Sequence, residues 1–124
     1  MSVLENAKNL QQMMAEGNAW DAFEKYYHDD VTVIEVPNGE TRKGKDAQRK
    51  AIQDWFGMVE EHHGAGVNSV CSDEEAGIST AETWMDITFK GGNRMKMSEV
   101  AVQKWKDDQI IEEKFYYHMP QQPE

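Results

Sequence analysis

Residues 78–118 form three long segments in which apolar and polar side chains alternate, and only two tight turns separate these segments. The turns are GGN at 91–93 and DD at 107–108, and their residues tolerate positive φ. The pattern predicts an antiparallel meander with strands at about 78–90, 94–106 and 109–118, preceded by a strand at about 67–72. A sheet of this extent needs cover over its apolar surface, from helices or from a second subunit.

The residues before the meander have mainly helical patterns. Ser2 and Glu5 form a capping box, after which apolar residues recur at helical spacing as far as Gly17. Asn18 can cap a second helix that HDD at 28–30 ends, and a third helix is predicted at about 45–60, before the break HHGAG. Strands are predicted at about 31–36 and 41–42 between these helices. Helices first and strands afterwards indicate an α+β fold.

The size and charge of the chain limit the classes of function. The 124 residues suffice for one domain, predicted over 1–118, with a frayed tail at 119–124. Thirteen basic against 23 acidic side chains give a net charge of −10, which argues against nucleic acid and against anionic membranes as partners. Because the start lacks the features of a signal peptide and the single Cys71 cannot form an intrachain disulfide, we expect a cytoplasmic protein.

The meander also predicts how the sheet faces are occupied. If GGN closes a hairpin, the numbers of facing residues sum to about 183, which places Trp84 opposite Glu99 and Asp86 opposite Met97 on one face. The opposite face would then carry Met85, Ile87, Ser98, Val100 and Val102. Three helices can cover only one face, and this second face is too apolar for open water. We therefore expect a homodimer through the outer face of the sheet.

The order of these elements resembles that of the nuclear-transport-factor-2-like (NTF2-like) superfamily. The resemblance rests on the two N-terminal helices, the strand ending in an acid and Pro-Gly turn residues, KGKDA before the third helix, and the final IIEEKFYYH. Over about residues 3–118 the chain is most similar to SnoaL-like proteins, which are related to ketosteroid isomerases and polyketide cyclases. The resemblance implies a cone in which three N-terminal helices pack in a strongly curved mixed or antiparallel sheet, with a pocket in its mouth.

The stretch DDVTVIEVPNGETRKG resembles the corresponding stretch of ketosteroid isomerases without gaps, and Glu35 falls where that family has its general-base aspartate. A carboxylate at the mouth of an apolar cone is partly desolvated, which raises its pKa toward values that suit proton removal from carbon. Leu10 and Ala101 stand where the isomerase oxyanion hole would be, so steroid isomerisation is not expected. Alternatively, Glu35 is a rim carboxylate that pairs with Arg42 or Lys43.

The stretch ETWMDITF at 82–89 resembles a strand of epoxide hydrolases of this fold, which carry an Arg and an Asp two residues apart and a further Asp on the last strand. Asp86 matches the first Asp, but Trp84 replaces the Arg, and Phe115 or Tyr117 replaces the last Asp. With Glu99 on the same face, Asp86 would form a carboxylate pair that shares a proton. A register different by one residue would place both acids in solvent.

The remaining candidates carry weaker patterns. His118, at the end of the last strand, is either a further acid or base or a surface histidine. His62 and His63 are adjacent and point apart, so no metal site is expected, and no cofactor motif is present. The residues expected to line a cavity are large and mostly aromatic: Trp20, Tyr27, Trp55, Met58, Trp84, Met97, Phe115 and Tyr117.

These patterns leave three hypotheses for function. The first is an enzyme without a cofactor, a cyclase, isomerase, dehydratase or hydrolase, in which carboxylates or a histidine transfer protons to or from a small apolar or polycyclic molecule. The second is a carrier or sensor that binds such a molecule in the same pocket without chemistry. The third is an interaction module whose cone is filled by its own side chains. The sequence alone leaves open whether the protein is an enzyme.

Overall fold

The computed structural model describes residues 2–118, so the predicted tail at 119–124 lies outside the described residues. Three helices are present in this part: α1 (Val3–Ala15), α2 (Ala19–Tyr26) and α3 (Lys45–Met58). The six strands are β1 (Tyr27–Glu35), β2 (Glu40–Lys43), β3 (Val59–Asp73), β4 (Ile78–Phe89), β5 (Arg94–Lys106) and β6 (Gln109–Tyr117). None of the helices within residues 2–118 has the length and apolar character needed to cross a bilayer.

Helix α1 begins at the predicted cap and is also fixed from the sheet. The Ser2 Oγ accepts a hydrogen bond from the Glu5 backbone N–H at 3.0 Å. The Glu74 carboxylate, between β3 and β4, accepts from the backbone N–H groups of Val3 at 2.8 Å and Leu4 at 3.1 Å. Two side chains therefore satisfy the free donors at this helix end, and a negative charge lies at the positive end of the helix dipole.

Two predicted boundaries were wrong because strands begin directly where helices end. Helix α2 ends at Tyr26 and β1 starts at Tyr27, so HDD at 28–30 lies in a strand. Helix α3 ends at Met58, and HHGAG lies inside the 15-residue strand β3. Pairing along the whole length of β4 satisfies the backbone groups of β3, which outweighs the weak strand propensity of its glycines.

The sheet has the order β2-β1-β6-β5-β4-β3. The β1–β6 pair is parallel, and the other neighbouring pairs are antiparallel. The register between β3 and β4 shifts after Val59, after His62 and after Val67, and the additional residue always lies on β3. Such bulges bend and twist a strand. They curve this side of the sheet around the helices.

The predicted register of the β4–β5 hairpin was wrong by one residue. Thr83 faces Glu99 and Asp86 faces Lys96, so the facing numbers sum to 182. The last facing pair is Thr88 and Arg94, and five residues, 89–93, lie between them. A sum of 183 would require an even number of residues in this loop. The loop is held by the Lys90 N–H, which donates to the Met58 carbonyl of α3 at 2.8 Å. A shift of one residue exchanges the two faces of a strand.

The observed register reassigns the residues of both faces. We call the face that packs against the helices the inner face, and it carries the buried Ile87, together with Met85 and Glu99. Met85 and Ile87 were expected on the outer face, so this part of the prediction is corrected. The outer face carries Trp84 and Asp86 together with the expected valines, and it is more polar than predicted. Its side chains on β4 and β5 include Thr80, Glu82, Trp84, Asp86, Ser98, Val100 and Val102.

The core lies between α1, α2 and the inner face. Its buried apolar residues are Ala7, Leu10, Ala22, Phe23, Tyr26, Tyr27, Val31, Val33, Trp105 and Ile110. Several polar side chains of the inner face are buried as well, namely Ser79, Gln103 and Glu113. Ile52 of helix α3 packs against this core, and a cavity remains between the three helices and the sheet.

Candidate functional site

A cavity of about 530 Å³ lies between the three helices and the inner face. This volume is in the range of small-molecule sites, roughly 300–1,000 Å³. All eight residues expected to line a cavity border it: Trp20, Tyr27, Trp55, Met58, Trp84, Met97, Phe115 and Tyr117. Trp84 differs from the others because its side chain belongs to the outer face and lies against Gly64 and Gly66 of β3.

The opening of the cavity is apolar. Met14, Trp20, Phe56 and Met58 border the cavity, and each is between 38% and 50% exposed. Trp20 and Phe56 contact each other across α2 and α3, with ring centroids 6.2 Å apart. Large apolar side chains that remain exposed together commonly mark a ligand or partner surface.

Glu35 ends β1 on the inner face and borders the cavity. Its Oε1 lies 3.5 Å from the Arg42 Nη2, and the Arg42 Nε donates to the Gln48 Oε1 at 2.8 Å. Its Oε2 is buried and has no hydrogen-bond partner within residues 2–118. Burial raises the pKa of Glu35, and Arg42 opposes this rise. The structure therefore combines the two sequence-based alternatives, because the same carboxylate borders the cavity and pairs with Arg42.

Glu99 borders the cavity from the middle of β5. It faces Thr83 on β4 and Tyr117 on β6, and both of these residues also border the cavity. Burial, the charge of Glu113 and the charge of Glu35 raise the pKa of Glu99 to about 7. Both the neutral and the ionised form of this carboxyl group are therefore populated near neutral pH.

Asp86 and His118 do not belong to this cavity. Asp86 lies on the outer face, where Arg94 binds its carboxylate through Nε at 3.1 Å and Nη2 at 2.9 Å and lowers its pKa. The expected carboxylate pair of Asp86 and Glu99 is absent because the one-residue change of register places them on opposite faces. His118 follows the end of β6, is exposed and does not border the cavity.

A buried acid that the sequence analysis missed lies below the cavity. Glu113 is 1% exposed, and its two oxygens accept hydrogen bonds from the Tyr27 hydroxyl and from the Gln103 Nε2, the latter at 2.7 Å. Burial raises its pKa to about 7, although both hydrogen bonds oppose the rise. The signal for this residue was present, because Glu113 shares the face of Phe115 and Tyr117 at a spacing of two residues.

The hydrogen bonds continue from Glu113 across the sheet. The Ser79 Oγ donates to the Gln103 Oε1 at 2.9 Å, and the Trp105 Nε1 donates to the Ser79 Oγ at 2.8 Å. Ser79 faces Gln103, and Gln103 faces Glu113, so the polar groups follow one row across β4, β5 and β6. A buried network in which each member has a partner is rigid and holds its groups in defined positions.

The charges at the cavity suit proton transfer. Among the described residues that border it, Arg42 is the only Lys or Arg, whereas four are acidic: Glu35, Glu40, Asp54 and Glu99. Within residues 2–118, no group of three or more metal-ligating acids, histidines or cysteines is found. Two carboxyl groups with raised pKa values beside an apolar space can act as a base and an acid.

The model of the SnoaL-like domain matches residues 1–117. The chain belongs to the SnoaL-like family. A candidate SnoaL-like polyketide cyclase from Mesorhizobium loti has a similar structure, with a TM-score of 0.85 and 32% identity, and the match covers 94% of this chain and 100% of that chain. A comparison with functionally curated proteins finds no significant match.

More distant structures share the fold of this SnoaL-like protein. A candidate isomerase from Bacillus subtilis has a TM-score of 0.79 at 16% identity, covering 95% of this chain and 90% of that chain. An NTF2-like protein of unknown function from Burkholderia pseudomallei has a TM-score of 0.77 at 12% identity, covering 95% and 92%. The predicted NTF2-like fold, with three helices on a curved mixed sheet, is confirmed.

Proposed function

We propose that this SnoaL-like protein binds a small apolar molecule with a carbonyl group and transfers a proton on it without a cofactor, as an isomerase or a cyclase. The observation that carries the proposal is the buried, unpartnered Oε2 of Glu35 at an apolar cavity that also contains Glu99. An unpartnered buried carboxylate oxygen costs stability, and such costs are concentrated at functional sites. The similarity, at 32% identity, to a candidate SnoaL-like polyketide cyclase supports the same reaction class.

The environments of the two acids assign their roles. Arg42 stabilises the negative charge of Glu35, whereas no ion pair of Glu99 is found within residues 2–118. The two negative charges repel each other, so the state in which only one of the two groups is ionised is favoured. Because Arg42 stabilises the charge on Glu35, the proton in this state is on Glu99. Glu35 is then the ionised base, and Glu99 is the neutral donor.

The reaction that follows is a proton transfer beside a carbonyl. The Glu35 carboxylate removes a proton from the carbon next to the carbonyl, and the electron pair moves to the carbonyl oxygen. The neutral Glu99 donates a hydrogen bond to that oxygen and stabilises the enolate. Return of the proton from Glu35 to another carbon gives an isomer. Alternatively, the enolate carbon attacks a second carbonyl of the same molecule and closes a ring, and the new alkoxide takes the proton back from Glu35. In both cases the atoms of substrate and product balance.

The experiment is hydrogen–deuterium exchange at carbon, followed by NMR in D₂O for a panel of cyclic and bicyclic ketones. Glu35→Gln should reduce the exchange rate of a bound ketone by about 10²–10⁴-fold, the usual contribution of a general base, while its Kd changes only a few-fold. Glu40→Gln is the matched control, because Glu40 also borders the cavity and pairs with Arg42 but is largely exposed. Equal exchange in the wild-type protein and in Glu35→Gln would refute the proposed base.

The apolar lining favours a carrier as the second candidate function. Ketones that bind to the wild-type protein without any exchange above the buffer rate would identify the cavity as a carrier or sensor site. The interaction module has less support, because it requires a cone filled by side chains whereas the cavity measures about 530 Å³.

A further inference from the structure

The proposed reaction leaves Glu113 and Tyr27 without a role, although both are close to the site. Tyr27 borders the cavity, whereas Glu113 does not. The Tyr27 hydroxyl donates to the Glu113 Oε1, so one side chain both borders the cavity and contacts the buried carboxyl group. A change at Glu113 can therefore reach a bound molecule through Tyr27.

The hydrogen bonds behind Glu113 have a fixed direction. The indole N–H of Trp105 can only donate, and it donates to the Ser79 Oγ. The hydroxyl proton of Ser79 goes to the Gln103 Oε1, which leaves the Gln103 Nε2 to donate to the Glu113 Oε2. This oxygen of Glu113 is thus occupied as an acceptor. A proton that Glu113 takes up has to reside on Oε1, which faces Tyr27.

We infer that Glu113 is a positioning residue that sets the direction of the Tyr27 hydroxyl and so decides whether Tyr27 offers a cavity ligand an acceptor or a donor. When Glu113 is ionised, the Tyr27 hydroxyl points to it, and only lone pairs of the phenol oxygen remain for the cavity. When Glu113 is neutral, its own O–H donates to the Tyr27 oxygen. The Tyr27 proton then needs a new acceptor, and a carbonyl oxygen in the cavity provides one.

The groups around Glu113 place this change near neutral pH. Burial raises the pKa of Glu113 to about 7, the charge of Glu35 adds to the rise, and Arg42 opposes it. Burial raises the pKa of Tyr27, and the charges of Glu113 and Glu99 add to this rise, so Tyr27 itself stays protonated. With Glu113 neutral, Tyr27 and Glu99 are two donors at one cavity. The inference rests on the proposed function only for the presence of a carbonyl ligand.

The test is an NMR titration of the protein without a ligand, from about pH 5 to about pH 9, with ¹³C at the tyrosine Cζ and the glutamate Cδ. We expect the Tyr27 Cζ signal to shift in one step with the same midpoint as the Glu113 Cδ signal. Tyr26 is the control in the same spectrum, because its buried hydroxyl accepts from the Asn9 amide and should show no such step. A Tyr27 signal that stays constant would overturn the inference, whether or not Glu113 titrates.

Glu113→Gln gives a second, independent readout. The oxygen of the introduced amide has to accept from Gln103, so its NH₂ group faces Tyr27 and donates to it. We expect the Tyr27 signal to be independent of pH and to equal the low-pH value of the wild-type protein. A signal fixed at the high-pH value would contradict the inference. Because the wild-type titration needs neither a variant nor a ketone, the inference can fail or succeed independently of the exchange experiment.

Discussion

At the scale of single residues, Glu99 and Glu113 make the stability of the fold depend on pH in an unusual direction. Their pKa values rise from an ordinary 4.5 to about 7 on folding, chiefly through burial. Below about pH 4.5 both states carry neutral carboxyl groups, so neither group affects stability there. Between about pH 4.5 and 7 the unfolded chain ionises first and binds fewer protons than the folded protein, so rising pH favours unfolding.

Glu99→Gln should remove part of this dependence. The rise of the Glu99 pKa lowers the free energy of unfolding by up to about 3 kcal/mol at pH values above the folded pKa. The variant should therefore be more stable than the wild-type protein at about pH 8 and differ little from it at about pH 4.5. Urea unfolding at the two pH values measures the difference. Glu75→Gln is the control because Glu75 is exposed in the turn before β4. A gain of equal size at both pH values would show that packing, and not ionisation, causes it.

At the scale of secondary-structure elements, the curved β3–β4 pair depends on one close contact. Gly66 faces Trp84, and a Cβ atom at Gly66 would lie 2.4 Å from the Trp84 Nε1. The Lys96 Nζ lies 4.8 Å from the centre of the same ring, on the outer face. The ring therefore occupies the place of a side chain at Gly66, which lies between two bulges of β3.

Gly66→Ala should destabilise the protein by about 1–3 kcal/mol, because the added methyl group displaces the indole ring. Gly64→Ala is the matched control, since a Cβ there would be 3.4 Å from the same ring, close to ordinary contact. Denaturant midpoints of the two variants measure the difference. Adding Trp84→Leu should recover most of the loss in Gly66→Ala. Equal losses in both glycine variants would show that the backbone, and not the ring, is the cause.

At the scale of the whole molecule, the outer face of the sheet remains the surface that we propose for a homodimer. Val100 and Val102 lie on it, and Tyr116 of β6 beside them is 43% exposed. Met85 and Ile87, which motivated the prediction in part, are on the inner face, so the dimer would rest on fewer apolar side chains than expected. The polar neighbours Thr80 and Glu82 would form part of the same interface.

Val100→Lys should weaken this dimer, because the lysine charge would be buried without a partner at a cost of several kcal/mol. Sedimentation at micromolar concentration measures the mass of the wild-type protein and of the variant. Gln53→Lys on the exposed side of α3 is the control for the added charge. A wild-type species of 14.3 kDa would refute the dimer.

The sequence by itself determined the features that depend on local patterns. The order of three helices and the final meander follows from spacing of apolar residues, from caps such as Ser2 and from the positive-φ turn at Asp107 and Asp108. Glu35 attracted attention because an acid ends an apolar strand next to a turn, and its expected role came from the resemblance to ketosteroid isomerases. These signals act over a few residues, and the physical preferences behind them do not need the rest of the chain.

Only the tertiary structure decided which acidic side chains lie together at the cavity. Whether Asp86 or Met85 faces the cavity depends on the parity of one loop, which is held by the contact of Lys90 with Met58 at the end of α3. The raised pKa values of Glu99 and Glu113 depend on the helices and strands that exclude water from them. Loop parity and burial arise from contacts between residues far apart in the chain. Periodicity within a strand tells which side chains share a face, but it does not tell which face is turned inward.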